Sequence, residues 1–297
     1  MRGIKSYLKM NDVEYEENLS FKVLSTIRLG GYAELVAYPD GVGSLIRLLD
    51  FLSENDKKFK VIGKMSNILP PDGRYRGVLV RTDKLNEFHL EGETLCSECG
   101  ISFPLLVNRL ASIGVGGLEE LSGIPGTLGG IVVGNSGAFG KEIADVIIKA
   151  SAYDIKRRKV LALKKEDLDF AYRTSVFKHK PLVLLSATLL VKHQPKEKIK
   201  EKIQAFREIR RAKQPSDPSL GSTFKRPDGA YASQLIDELG LRGYTIGGAE
   251  ISQKHAGFII NNGNATSADI KELIEYVGNA VFENFGIRLE KEIEYLE

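Results

Sequence analysis

The apolar positions of the chain alternate between two periods. Over Val42–Leu52 they return every three or four residues, which predicts an amphipathic helix. Over Phe59–Gly63 and Gly77–Arg81 they crowd into short runs that predict buried strands. Thr94–Phe103 and Leu182–Val191 also read as strands. Asp145–Asp154 and Lys159–Lys164 flank the charged turn Lys156-Arg157-Arg158, the pattern of a hairpin.

The helical period returns in Lys196–Lys213, a highly charged segment with Ile199, Ile203, Phe206 and Ile209 on one stripe. Two prolines and two serines make Gln214–Leu220 a linker. A helix is expected over about Ala230–Leu239 and a strand over about Ala256–Ile260. Thr266 and Asp269 stand in capping-box positions before the stripe Ile270, Leu273, Ile274, Val277 and Val281. Gly286 is placed to stop that helix, and Ile287–Tyr295 reads as a final strand. No internal repeat interrupts this mixture, so the fold class is α+β, in two or three lobes.

Composition narrows the function classes. Hydrophobic residues at 42% and charged residues at 27% of 297 describe a globular chain. A net charge of +3 is too small to imply nucleic acid or an acidic membrane surface as partner. Met1–Glu17 lacks the apolar core of a leader, and the longest apolar stretch, Pro181–Val191, is strand-sized. The expectation is a cytoplasmic protein. Its only cysteines, Cys96 and Cys99, have C-x-x-C spacing, but the four histidines form no paired motif, so no metal site is expected. On a strand, residues three apart face opposite ways, which makes the pair two free thiols.

Ten of the 30 glycines fall between Gly114 and Gly140, a density that needs a local cause. Glycine serves where φ is positive or where another group approaches the backbone. No G-x-G-x-x-G follows a strand, so a Rossmann site is not supported. Gly134–Lys141 is one residue too long for a P-loop, and Glu142 stands where Ser or Thr is required. Bare amides at turns would still suit a pyrophosphate. A second loop, Gly63–Leu69, also follows a strand and offers amides and a hydroxyl.

These residues carry a resemblance. Thr26–Ala33 matches a Thr-hydrophobic-Arg-x-Gly-Gly-x-Ala stretch, and Gly63–Leu69 a Gly-x-Gly-Ser-Asn-hydrophobic-Leu loop with Met65 for its middle glycine. Ser122–Gly130 and Asn135–Gly140 match Ser-Gly-Ile-Pro-Gly-Thr-x-Gly-Gly and Asn-x-Gly-x-x-Gly. Tyr172–Ser175 stands for Tyr-Arg-x-Ser, Gly221–Lys225 for Gly-Ser-x-Phe-Lys, and Leu289–Glu292 for Leu-Glu-x-Glu. Six markers in order, over about residues 18 to 293, resemble the UDP-N-acetylenolpyruvoylglucosamine reductases, in the shorter form without an extra tyrosine-bearing loop.

The resemblance implies a two-lobed FAD-binding fold of the vanillyl-alcohol-oxidase type, over residues 1–78 and 79–198, and a C-terminal α+β substrate-binding lobe over 199–297. NADPH would reduce the flavin and leave, after which the enolpyruvyl ether of UDP-N-acetylglucosamine would be reduced to UDP-N-acetylmuramate, a peptidoglycan precursor. The flavin would be held by Gly63, Lys64, Met65, Ser66, Asn67, Ile68 and Leu69 in the first loop. The second contributes Ser122, Gly123, Ile124, Pro125, Gly126, Thr127, Gly129 and Gly130, followed by Asn135, Gly137 and Ala138. Met65 leaves the contacts of the first loop open. The partners are small molecules, with no nucleic acid or membrane, and the chain is expected to act as a monomer.

Hydride addition to an enolpyruvyl double bond leaves negative charge that spreads into the substrate carboxylate. That charge needs stabilising, and one proton must be delivered. The resemblance implies Arg173 for the first task, since a guanidinium pairs with a carboxylate at two points. It implies Ser222 as proton donor, with Thr223 a chemical rival. Strand alternation would put Glu290, Glu292 and Glu294 on one face, and only the motif selects Glu292. An ionised Glu292 would oppose the reaction, so it either has a raised pKa or orients Arg173. Lys213, Lys225, Arg226 and Tyr172 are implied on the substrate side, and His255 is expected to be structural. Two other readings compete: an FAD oxidase or dehydrogenase with a different substrate, and a sugar-nucleotide-binding protein without flavin.

Overall fold

A computed structural model describes residues 2–297; Met1, the start of the first expected lobe, lies outside the described residues. The chain forms two compact units, Met1–Glu17 with Leu35–Lys64 and Gly77–Ile209, and Asn18–Glu34 with Met65–Arg76 and Arg210–Glu297. Helices and strands are mixed throughout, the α+β class that the apolar pattern predicts.

The first unit is organised by a five-stranded antiparallel sheet in the order Lys159–Lys164, Ile147–Asp154, Leu182–Leu190, Thr94–Glu98, Phe88–Glu91. The hairpin pairs Lys149 with Lys164 through to Asp154 with Lys159 around the expected charged turn. A four-stranded sheet runs in the order Glu14–Ser20, Tyr32–Tyr38, Arg74–Arg81, Phe59–Ile62, the last two parallel. The helix Val42–Glu54 buries Leu45, Leu48, Leu49 and Leu52, the stripe read from its period. Ile199 and Ile203 of the helix Lys196–Lys213 join the same core, whereas Ile209 is 40% exposed.

The second unit carries an antiparallel sheet in the order Ser219–Ser222, Phe258–Asn261, Ala249–Ile251, Thr245–Ile246. The helix Ser267–Phe285 packs on it through Ile270, Leu273, Ile274, Val277 and Val281. Its capping box is formed, with the Thr266 hydroxyl accepting from Asp269 N at 3.0 Å and the Asp269 carboxylate from Thr266 N at 2.9 Å. Gly286, at φ 70°, ends it as expected.

Two expectations are corrected. The strand expected over Thr94–Phe103 stops at Glu98, because Pro104 opens a helix, Phe103–Ser112, where its missing N–H costs nothing. The strand expected over Ile287–Tyr295 is reduced to Glu294–Tyr295. Its earlier residues change partners: Glu290 O accepts from Lys225 N, Glu292 N donates to Thr223 O, and Glu294 N donates to Asn67 O, so no continuous ladder forms. Cys96 is exposed and Cys99 buried, both free. Among the described residues no helix is long and apolar enough to cross a membrane, and no group of three or more His, Cys, Asp or Glu is arranged to hold a metal ion.

Candidate active site

The glycine-rich run of the first unit is built for close approach. Thr127 caps the short helix Leu128–Val133, its hydroxyl accepting from Gly130 N at 3.2 Å. A Cβ on Gly63 would lie 3.1 Å from the Thr127 methyl, so the two loops implied by the resemblance meet side by side at Gly63 and Thr127. Gly129 N donates to Cys99 O at 2.7 Å, and burial pushes the Cys99 thiol up to about 12, leaving it a neutral packing group. Ser122 is 2% exposed, and its hydroxyl has no hydrogen-bond partner among the described residues. A buried hydroxyl left unpaired in a glycine-rich turn fits an oxygen-rich ligand such as the FAD pyrophosphate.

Arg173 sits at the tip of a tight turn closed by Ala171 and Thr174, which exchange hydrogen bonds at 3.3 and 3.1 Å. Its φ of 58° is left-handed, an uncommon conformation for a branched-free but bulky side chain. The guanidinium carbon lies 5.0 Å from the ring centre of Tyr172, which is 44% exposed. Arg173 Nη1 is 4.0 Å from Glu142 Oε1. Asn135, at 1% exposure, donates through Nδ2 to Glu142 Oε2 at 2.8 Å and to Ala171 O at 3.0 Å, and accepts from Ala144 N at 3.2 Å. On the other side of the turn, Thr174 Oγ1 and His179 Nε2 are 2.8 Å apart, and Ser175 Oγ donates to Val133 O at 2.8 Å.

The second unit gathers the remaining implied residues. Ser222 ends a strand whose pairing with Phe258–Asn261 shifts register between Ser219 and Ser222. Gly221, at φ 81°, supplies the conformation for that bulge, the kind of defect that re-aims a side chain. Ser222 is half-buried, while its rival Thr223 is 3% exposed. Glu292 is clamped by its backbone: its N–H donates to Thr223 O at 2.9 Å, and Asn67 Nδ2 donates to its carbonyl at 3.0 Å. Asn67, Ser222 and Glu292 are thus brought together. Lys225 pairs with Glu290 at 2.6 Å, and Arg226 lies 4.4 Å over the ring of Tyr231. Lys213 is the exposed last residue of its helix. His255 accepts from Gly257 N at 3.1 Å and meets Phe258 edge-on, and burial holds its pKa below the ordinary histidine value.

Sequence reasoning missed three of these partners. Glu142 entered it only as the residue that spoils a P-loop, yet its carboxylate faces Arg173. Glu290 entered it only as one of three glutamates on a strand face, and it balances Lys225. The contact of Asn67 with the Glu292 backbone spans 225 residues and leaves no local signal.

The profile of an FAD binding domain matches residues 33–156, which defines a flavin-binding class of protein. The profile of the UDP-N-acetylenolpyruvoylglucosamine reductase C-terminal domain matches residues 214–296. A UDP-N-acetylenolpyruvoylglucosamine reductase of Caldanaerobacter subterraneus is 39% identical over 292 residues, 98% of this chain and 96% of that protein. One from Caldicellulosiruptor bescii is 39% identical over 98% of this chain and 93% of its own. The crystal structure of the Thermus caldophilus enzyme superposes with a TM-score of 0.80 at 31% identity, covering 96% of this chain and 99% of that one. The chain belongs to the UDP-N-acetylenolpyruvoylglucosamine reductase family.

Proposed function

We propose that this protein reduces UDP-N-acetylglucosamine enolpyruvate to UDP-N-acetylmuramate, with FAD as cofactor and NADPH as electron source, in peptidoglycan precursor synthesis. The observation that carries the reading is kinship over almost the whole chain, 39% identity across 98% of it. FAD, held by this chain's residues, would supply the hydride, with NADPH as its source. Residues 1–78 and 79–198 form the cofactor lobes in this reading and 199–297 the substrate lobe. The loops 63–69 and 122–130, with Gly137 and Ala138, hold the cofactor, the Ser122 hydroxyl turned to its phosphates; the Asn135 side chain, spent on Glu142, Ala171 and Ala144, takes no part in holding it.

The chain's own residues have two tasks. Arg173 pairs with the substrate carboxylate and stabilises the charge that spreads into it once hydride has added to the methylene carbon. Ser222 gives its hydroxyl proton to the neighbouring carbon, which is basic enough to take it at short range. Glu292 supports the same charge as a protonated donor, and Lys213, Lys225, Arg226 and Tyr172 hold the sugar nucleotide. The enzyme acts as a monomer in the cytoplasm on small molecules.

The purified protein is expected to be yellow, to bleach with NADPH without oxygen, and to regain its colour when the enolpyruvyl sugar nucleotide is added. Bleaching without recovery would assign the chain to a different substrate. Ser222→Ala should bleach at the parental rate and largely fail to recover. Two unchanged half-reactions in that variant would remove Ser222 from the mechanism.

A further inference from the structure

The turn that carries Arg173 is held by groups that the chemistry above does not use. Asn135 spends its whole amide on the protein. Oδ1 must be the oxygen, because its partner, Ala144 N at 3.2 Å, can only donate; that leaves Nδ2 to donate to Ala171 O at 3.0 Å and Glu142 Oε2 at 2.8 Å. Ala171 is the residue whose N–H and carbonyl close the turn over Tyr172 and Arg173. Glu142 is fixed a second time, since its side chain also accepts the backbone N–H of Asp145 in a capping box. Its second oxygen is then directed at Arg173 Nη1, 4.0 Å away. One buried amide therefore sets both the backbone under Arg173 and the carboxylate beside its guanidinium.

We propose that Asn135 and Glu142 are positioning residues for Arg173, Asn135 by anchoring the turn and Glu142 by drawing the guanidinium into line through its charge. This rests on the reading of Arg173 as the partner of the substrate carboxylate. The left-handed backbone at Arg173 gives the anchor a reason, because an uncommon conformation persists only where its surroundings over-determine it. A separation of 4.0 Å attracts without forming a close two-point pair, so Glu142 orients the guanidinium.

The test uses the flavin-loaded enzyme and follows the two half-reactions separately. Asn135→Gly deletes the amide while tolerating the local φ of 40°. It is expected to slow reoxidation by the enolpyruvyl sugar nucleotide about 30-fold or more and to change reduction by NADPH less than about twofold. Glu142→Gln leaves one side-chain oxygen to accept from Asn135 and removes the charge that faces Arg173; it should slow reoxidation about 3- to 10-fold, on the same principle of misplaced reacting groups. In an Arg173→Ala background, either change should add less than about twofold, because linked residues are not additive. Full additivity with Arg173→Ala would overturn the proposal, and so would loss of flavin or equal slowing of both half-reactions, either of which would make Asn135 a cofactor residue. If Arg173→Ala alone reoxidises at the parental rate, the role of Arg173 itself fails and the proposal falls with it. Glu142→Gln, on a side chain 38% exposed, keeps the test decisive if Asn135→Gly does not fold.

Discussion

Met65 holds a φ of 48° at the position where the family's loop has glycine, and its side chain is 2% exposed. A left-handed conformation costs a residue with a Cβ about 1–2 kcal/mol. Burying a methionine side chain returns about 1.5–3 kcal/mol, and a glycine in its place would also cost about 0.5–1 kcal/mol in unfolded-chain entropy. Burial wins, so Met65→Gly is expected to destabilise the protein by about 1–2 kcal/mol, read by chemical denaturation. A neutral or stabilising result would show that the side chain contributes no packing. The departure from the family pattern was visible in the sequence, but its consequence was not. The motif marks where the backbone must turn left-handed, whereas only the folded chain shows where the methionine goes. Arg173 and Ser222 were likewise legible as motif positions, while the amide and the carboxylate around Arg173 come from residues 38 and 31 positions away whose spacing carries no periodic signal.

At the scale of elements, the segments with a strong local cause were read closely. The helix Lys196–Lys213 and the strand Lys159–Lys164 have the bounds expected from their patterns. The short helix Leu128–Val133 was hidden by its two glycines, which argue against helix on propensity and are tolerated for close packing. The capping box of Ser267–Phe285 was legible, yet its second cap was not. Asp72 reaches the same helix start, its carboxylate accepting from Ser267 N at 2.6 Å and Ala268 N at 3.0 Å. Together Thr266 and Asp72 satisfy three of the amides that a helix leaves open. Thr266→Ala should cost about 1 kcal/mol and Asp72→Ala about 1–2 kcal/mol, since the latter removes a charged acceptor from two N–H groups. Equilibrium unfolding in urea measures both. A smaller loss for Asp72→Ala than for Thr266→Ala would mean that water replaces the carboxylate.

For the whole molecule, the shifted groups predict a stability maximum near neutral pH. Burial holds His255 below the ordinary histidine value, so the unfolded chain takes up a proton that the folded one resists. Stability is therefore lost as pH falls below about 6.5, the value of a free histidine. Asp269 is held below the usual carboxylate range by the N–H of Thr266 and, with it, that of Gly248. Its contribution is present above about 3.9 and disappears as pH falls through its lower folded value, which adds a second acid step. On the alkaline side the signs reverse. Cys99, pushed up to about 12 by burial, stays neutral in the fold while an unfolded thiol ionises from about 8.5, so stability declines as pH rises across that interval. The two flanks belong to different units, because His255 and Asp269 lie in the unit that contains Arg210–Glu297 and Cys99 in the one that contains Gly77–Ile209. Urea titrations from pH 4 to 10 should give a plateau between about 6.5 and 8.5. His255→Asn should flatten only the acid flank near pH 6, and Cys99→Ala only the alkaline one. A decline that kept its shape in both variants would mean that these buried groups titrate alike in the folded and unfolded chain.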